Sequence, residues 1–195
     1  MKFLSKNPKS SILEKGLTYQ KNKSDNNRLL KEELLKEQKN FCAYTEKYLQ
    51  ELDASEVEHF NSSIKYKDDY YNYYAILRKA NLYKKDETYL NAKFFETRFF
   101  QNKDNLESRI MYKDGFYFQI NEDDKEAFEL IDFLGLNHPD LCQQRNRHVN
   151  RLAKTFKEAA YNSENCIEYF KEHIEEMSFV TAIEEKFDIN LETIL

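Results

Sequence analysis

The chain has 195 residues, of which 41% are hydrophobic and 33% are charged, so it can bury a core in one domain or in one core with helical additions. Its three glycines and two prolines argue against a β-sandwich, a glycine-rich phosphate loop or a collagen-like segment. The net charge of −5 lacks the basic excess that a free-standing, high-affinity nucleic-acid binder carries.

Residues 1–24 are rich in Lys, Asn and Ser and are expected to form an arm with little regular structure. They contain no apolar secretory signal, and no part of the chain has the roughly 20 apolar residues that span a bilayer. Three widely spaced cysteines suit reduced thiols better than a disulfide framework. A cytoplasmic protein without membrane association is therefore expected.

A helix is predicted from Asp25, because four leucines follow at helical spacing and Asp25 can cap the start. The next stretch is predicted to be extended in two short pieces, around Phe41–Tyr44 and Glu56–Phe60. A polar loop with tyrosines over 61–71 and a helix from about Tyr73 to Leu90 complete this part.

The sequence RIMYKDGFYFQI predicts a β-hairpin near 109–120, because two apolar and aromatic runs flank an Asp-Gly turn. A helix is expected from the acidic residues after Asn121 to about Leu134, ended by Gly135, and two or three helices from Pro139 onward. The predicted fold class is therefore α+β and mostly α, with a small ββα unit embedded in helices.

Charge is distributed unevenly along the chain. Residues 1–40 hold ten basic and five acidic residues, residues 41–120 hold twelve and thirteen, and residues 121–195 hold eight and seventeen. Nucleic-acid contact is therefore expected in the basic N-terminal part or with help from a partner, and the acidic part is the candidate partner-facing or solvated region. The predicted parts are an N-terminal arm and helix (1–40), a central unit (41–92) and a hairpin with an acidic helical region (93–195), expected to form one compact domain.

One stretch combines the residue types that phosphodiester hydrolysis needs. Glu56-Val57-Glu58-His59 alternates along an extended segment, so Glu56 and Glu58 share one face. A histidine that titrates near neutral pH is a suitable base for activating water. The oxygens of Glu58 and Asn81 suit Mg²⁺ or Mn²⁺, which would stabilise the leaving oxygen. The candidate phosphate contacts are Arg78, Lys84 and Lys85.

The segments CAYTEKYL, EVEHF and YYNYYAILRKANLYKKD, in this order, resemble the motif of HNH (ββα-metal) endonucleases. The similarity is to the PtuB-like HNH proteins of Septu anti-phage systems and retron-associated cassettes. It covers about residues 41–86, with weaker similarity between Leu134 and His148. The resemblance implies that His59 is the catalytic base, that Glu58 and Asn81 bind the metal ion, and that Asn72 orients His59 or the catalytic loop.

The same resemblance implies a wider function. A PtuB-like protein would be the nuclease effector of a bacterial anti-phage defence system and would act with a PtuA-like ABC or SMC-type ATPase. DNA is favoured as the substrate by analogy with HNH enzymes, and RNA, including tRNA, stays open. Substrate sequence, strand preference, oligomeric state and the activating signal are not determined by the sequence.

The chain departs from the family in its cysteines. Many relatives brace the fold with a zinc ion held by two Cys-x-x-Cys pairs. Here the first pair has become Cys42-Ala43-Tyr44-Thr45 and the second is missing, so a structural zinc is not expected. The missing cysteines favour an alternative, in which the chain is a catalytically inactive HNH-derived scaffold or interaction module.

Several residues also have structural interpretations. His59 could be a structural histidine satisfied by a carboxylate, and the two asparagines could be caps or turn residues. Asp68-Asp69 is interpreted as a solvated loop rather than a second metal site. In the tyrosine run, Tyr71 and Tyr74 are expected to pack, whereas base stacking by Tyr66, Tyr70 and Tyr73 is left open.

Overall fold

The computed structural model describes residues 1–195. The helices are α1 (Ser11–Glu14), α2 (Ser24–Glu37), α3 (Arg78–Asn81), α4 (Phe94–Thr97), α5 (Lys103–Arg109), α6 (Lys125–Phe133), α7 (Pro139–Glu158), α8 (Ser163–Glu172) and α9 (Val180–Phe187). The strands are β1 (Ser55–His59), β2 (Tyr73–Leu77), β3 (Ile110–Lys113) and β4 (Phe116–Gln119). Single 3₁₀ turns lie at Ser62–Ile64, Tyr70–Asn72, Phe99–Gln101 and Ile174–Met177.

The fold is α+β and mostly helical, as predicted, with two small antiparallel sheets of two strands each. In the first sheet β1 pairs with β2, with Ser55 opposite Leu77 and His59 opposite Tyr73. The short helix α3 follows β2 directly, so the chain order here is strand, loop, strand, helix. The hairpin of β3 and β4 forms the second sheet, close to the predicted position.

Two predicted elements differ from the structure. The predicted helix from Tyr73 to Leu90 begins as strand β2 and contains only the short helix α3, and the predicted strand at Phe41–Tyr44 is reduced to one bridge between Phe41 and Tyr48. The reason lies in the packing of β2, whose residues Tyr73 to Ile76 are all buried. A strand covered on both faces has an unbroken apolar run, which periodicity cannot distinguish from a buried helix.

Two apolar clusters cover the faces of β2. Tyr74 and Ile76 belong to the main core, which contains 37 buried residues drawn from the whole length of the chain. Tyr73 and Ala75 belong to a smaller cluster beneath α1 and α2. The side chain of Gln38, just after α2, bonds both backbone groups of Ala75, with N–O distances of 2.7 and 2.9 Å. Gln38 therefore makes the hydrogen bonds to β2 that a third strand would otherwise make.

Phe60, which follows β1, joins the first sheet to the C-terminal helices. Its ring centroid lies 4.4 Å from that of Phe100 and 5.2 Å from that of Phe133, which belongs to α6. Aromatic side chains bury large apolar areas, so this cluster fixes the end of β1 against the main core.

Close backbone contacts bind the central part of the chain to the C-terminal region. Gly135 has a φ of +61°, and a Cβ atom there would lie 2.5 Å from the carbonyl oxygen of Tyr83. The Lys85 amide donates to the Phe133 carbonyl at 2.8 Å, and the Phe179 amide donates to the carbonyl of Glu46 at 2.7 Å. Glycine is required at position 135, because any side chain would force these segments apart.

None of the helices combines the length and the apolar character that a membrane-spanning segment requires.

Candidate functional site

A cleft of about 400 Å³ lies between the first half of α2 and strand β1. Glu56, Glu58 and His59 of β1 line it, and so does Asn81 at the end of α3. The β1–β2 pairing and the turn into α3 bring these residues together, although 22 positions separate His59 from Asn81. The structure therefore brings the predicted base and the predicted metal ligands into one cleft.

His59 ends β1 and is almost completely buried. Its Nδ1 atom lies 2.5 Å from Oδ2 of Asp68, and the buried Nε2 atom has no hydrogen-bond partner. The carboxylate accepts the Nδ1 proton, which fixes the tautomer and leaves the lone pair on Nε2. The rings of Tyr19 and Tyr73 pack edge-on against the imidazole, with centroids at 4.7 and 5.4 Å.

Asp68 is held from three sides. Its side chain is only 1% exposed and, besides His59, it contacts Nδ2 of Asn72 at 2.7 Å and the hydroxyl of Tyr73 at 3.2 Å. Asn72 also bonds both backbone groups of Asn61, at 2.8 and 3.0 Å. Asn72 thus closes the loop between β1 and β2 and reaches His59 through Asp68 rather than directly.

The pKa values in this chain of contacts favour a neutral imidazole and a charged carboxylate. Burial lowers the pKa of His59 and outweighs the opposing effect of Asp68. Burial opposes ionisation of Asp68, but hydrogen bonds from Asn72 and His59 outweigh it and lower the pKa of that carboxyl. A neutral histidine with a free Nε2 lone pair can accept a proton.

The carboxylate of Glu58 forms a buried ion pair with Lys84 through Oε1. The Lys84 ammonium is completely buried, donates to the His59 carbonyl at 3.0 Å and lies 3.0 Å from Asp86. Burial raises the pKa of the Glu58 carboxyl although Lys84 opposes the shift. Lys84 therefore connects the end of β1 to the segment after α3.

The oxygen donors of the cleft suit a hard divalent cation. Asn81 donates through Nδ2 to Oε1 of Glu56 at 3.1 Å, which directs the amide but leaves its Oδ1 without a hydrogen bond. Oε2 of Glu58 likewise accepts no hydrogen bond. Mg²⁺ is commonly bound by one or two carboxylates and keeps several waters, and the oxygens of Glu58 and Asn81 that lack hydrogen bonds are donors of the kind it takes.

The basic side chains in the cleft wall are Arg28 and Lys31 of α2 and Lys65 of the loop between β1 and β2. None of the three phosphate contacts predicted from the sequence lines it. Lys84 is buried in its ion pair, Lys85 bonds Asp132 at 2.7 Å, and Arg78 lies on the outside with Nε 3.7 Å from Glu56. The cationic wall thus comes from the basic N-terminal part and the loop.

The sequence-based interpretation missed the contact of Asp68 with His59 and assigned Lys84 to phosphate binding rather than to an ion pair with Glu58. Asp68 was interpreted as part of a solvated loop, and its burial beside His59 corrects this. The sequence could have indicated Asp68 as the partner of His59. Functional histidines commonly donate one ring N–H to a carboxylate, and Asp68 lies between His59 and Asn72 in the chain. Lys84 gave no such signal, since nothing in the local pattern distinguishes a buried lysine from its exposed neighbour Lys85.

No group of three or more His, Cys, Asp or Glu side chains that could hold a metal ion is present, either in this cleft or elsewhere in the structure. Cys42, Cys142 and Cys166 are buried and unpaired, and Cys42 accepts a hydrogen bond from the Leu77 amide at 3.3 Å. In comparisons with known proteins, no family model, no curated protein and no solved structure matches this chain.

Proposed function

We propose that this protein is a metal-dependent endonuclease of the HNH type that hydrolyses phosphodiester bonds. The observation that carries the proposal is His59, whose Nδ1 is held by Asp68 and whose buried Nε2 has no hydrogen-bond partner, and which lines the same cleft as Glu58 and Asn81. A fixed base, hard oxygen donors and a cationic wall are the parts that this reaction requires.

In the proposed mechanism His59 takes a proton from the attacking water through Nε2. Asp68 holds the imidazole in the tautomer that leaves this atom free, and it stabilises the imidazolium that forms. Asn72 is a positioning residue, because it acts on His59 through Asp68. The charge that the imidazole gains is thereby met by a carboxylate that is already in place.

Glu58 and Asn81 would hold Mg²⁺ or Mn²⁺, which supplies electrostatic stabilisation of the charge on the leaving oxygen. Lys84 holds the Glu58 carboxylate in place through their ion pair, and Glu56 directs the Asn81 amide. Arg28, Lys31 and Lys65 would contact the phosphates on either side of the scissile bond. These electrostatic contacts would not depend on the nucleotide sequence. DNA is favoured over RNA, including tRNA, by the resemblance to HNH enzymes alone.

We further propose that the protein is a cytoplasmic effector of a bacterial anti-phage defence system and acts with an ABC or SMC-type ATPase. This part follows from the resemblance to PtuB-like proteins. The charge distribution agrees with it, since residues 121–195 hold eight basic and seventeen acidic residues and are poorly suited to grip nucleic acid. The candidate surface for such a partner is this acidic region.

The test is a cleavage assay on plasmid DNA and tRNA with Mg²⁺ or Mn²⁺, with and without the product of the neighbouring gene as the candidate partner. We expect cleavage that EDTA abolishes and that Asn81→Ala lowers at least about 10-fold, because the amide oxygen is lost from the metal site. Asn150→Ala, an exposed position on α7, is the matched control. Cleavage that persists in EDTA, or absence of cleavage on both substrates with the partner present, would contradict the proposal.

Asp68→Asn is expected to lower the cleavage rate by about 10- to 100-fold, since the amide cannot stabilise the imidazolium as a carboxylate does. Asp69→Asn is the control, because Asp69 is exposed and only caps the Tyr71 amide, which asparagine also does. Single-turnover rates of the two variants, measured beside their melting temperatures, separate catalysis from folding. Equal rates would remove Asp68 from the mechanism.

A catalytically inactive scaffold is the second candidate. The observations that favour it are the burial of His59 Nε2 and the contact of Lys84 with Glu58, which compete with water and metal at these atoms. Calorimetric titration with Mn²⁺ distinguishes the two candidates. The endonuclease binds the ion and loses this binding in Glu58→Gln, whereas the scaffold gives the same trace with both proteins.

A further inference from the structure

Tyr66 is the exposed tyrosine of the run that follows β1. Tyr70, Tyr73 and Tyr74 are buried and Tyr71 is partly buried, whereas Tyr66 is 56% exposed. The ring of Tyr66 lies next to the cleft residue His59, with its centroid 6.4 Å from that of the imidazole. A mostly exposed aromatic ring is therefore close to the imidazole of the proposed base.

The backbone at Tyr66 has a conformation that favours glycine. The Lys67 amide donates to the Ile64 carbonyl at 2.9 Å, Lys65 has φ −50° and ψ 131°, and Tyr66 has φ +78°. These values describe a type II turn with Tyr66 at its third position, where a side chain is strained and glycine is preferred. A mostly exposed ring adds little to the core, so stability of the fold does not explain a tyrosine at this position.

Basic residues accompany Tyr66. Lys65 and Lys67 flank it in sequence, and the Lys65 ammonium lies 5.4 Å from the centroid of Tyr66. Lys65 also lines the cleft, opposite Arg28 and Lys31 of α2. An aromatic face between positive charges is the arrangement with which proteins bind single-stranded nucleic acid, because the ring stacks on a base while the charges follow the backbone.

We propose that Tyr66 stacks on an unpaired nucleobase next to the scissile phosphate, with Lys65 and Lys67 on the neighbouring phosphates. This inference rests on the proposed function, and it names single-stranded or locally unpaired nucleic acid as the preferred substrate. In a duplex each base face is covered by its neighbours and cannot stack on a side chain. Stacking requires no particular base, so little sequence preference is expected at this position.

The first experiment compares wild type with Tyr66→Gly for binding of labelled 12-nucleotide single strands and of the matching duplex, in EDTA at fixed salt. Tyr66→Gly relieves the strained turn, so its melting temperature is expected to equal or exceed that of wild type. Its affinity for the single strand is expected to fall about 5- to 150-fold, the range for the loss of one stacked base, with a much smaller change for the duplex. Tyr66→Phe should rescue the affinity, since phenylalanine also stacks.

The second experiment uses the absence of tryptophan from the chain. Tyr66→Trp introduces a single indole whose fluorescence is quenched when a base stacks on it. Tyr161→Trp, at another partly exposed tyrosine in the acidic region, is the control. Single-stranded oligonucleotide should quench Tyr66→Trp and leave Tyr161→Trp unchanged.

The outcomes separate this inference from the proposed function. Equal affinity of wild type and Tyr66→Gly for the single strand, no quenching of Tyr66→Trp, or no binding by wild type overturns the stacking role. Tyr66-dependent binding of single strands by a protein that cleaves nothing in Mg²⁺ or Mn²⁺ supports stacking and contradicts the nuclease.

Discussion

Replacing His59 with alanine is expected to lower the rate of phosphodiester cleavage by about 10²- to 10⁴-fold, the contribution typical of a positioned general base. Nε2 of His59 is the imidazole nitrogen that has no hydrogen-bond partner, so it is the atom that would take the proton from water. The measurement is a single-turnover time course at saturating Mg²⁺. His173→Ala, which removes a half-exposed histidine after α8, should keep the wild-type rate.

Two further readouts exclude a merely structural effect of His59→Ala. Asp68 keeps its hydrogen bonds from Asn72 and Tyr73 in this variant, so the loop should remain folded and hydrogen exchange of residues 60–72 should change little. Added imidazole can enter the space left by the side chain and should restore part of the rate. A variant that cleaves as fast as wild type would show that another group activates the water.

Lys84→Met is expected to lower the free energy of unfolding by about 3–5 kcal/mol, because it leaves the buried Glu58 carboxylate without its partner. The double variant Glu58→Gln/Lys84→Met should recover most of that loss, since it removes the charge as well as its partner. Urea unfolding followed by circular dichroism measures both.

The neighbouring lysine provides the control for Lys84→Met. Lys85 is half-exposed and pairs with Asp132 on the surface, so Lys85→Met should cost less than about 1 kcal/mol. Equal losses of stability in the two single variants would show that the Glu58–Lys84 pair contributes no more to the free energy of unfolding than a surface pair does.

Features that depend on local sequence were predicted well. The helix predicted from Asp25 is α2, although Asp25 does not cap it: the N-cap is Lys23, without a side-chain cap, and Asp25 lies in the first turn. The hairpin lies at Ile110–Gln119 with its Asp-Gly turn in left-handed backbone, φ 51° at Asp114 and 92° at Gly115. A left-handed Asp-Gly pair matches the right-handed twist of the strands, which is why this dipeptide predicts a hairpin. Helical spacing and turn dipeptides act over a few residues, so they can be recognised without the fold.

Features that depend on contacts between distant parts of the chain were not predicted. Strand β2 was predicted as a helix, because only the two apolar clusters on its faces distinguish a buried strand from a buried helix. Lys84 was predicted to contact phosphate, whereas it is buried in an ion pair with Glu58, which lies 26 positions earlier in the chain and so gives no local signal. His59, Glu58 and Asn81, which the ordered residue pattern grouped, line one cleft, whereas the contact of Asp68 with His59 depends on how the loop folds.

The glycine contact between Gly135 and Tyr83, and the hydrogen bonds of Phe179 and Thr181 to Glu46, limit how this protein can be re-engineered. A graft of residues 41–92 into another scaffold would carry Glu46 without the backbone amides of Phe179 and Thr181 that donate to it. It would also carry Tyr83 without Gly135, against which its carbonyl packs. Recombination points in the connecting loops would separate these complementary surfaces. Chimeras should therefore exchange the whole chain rather than this segment.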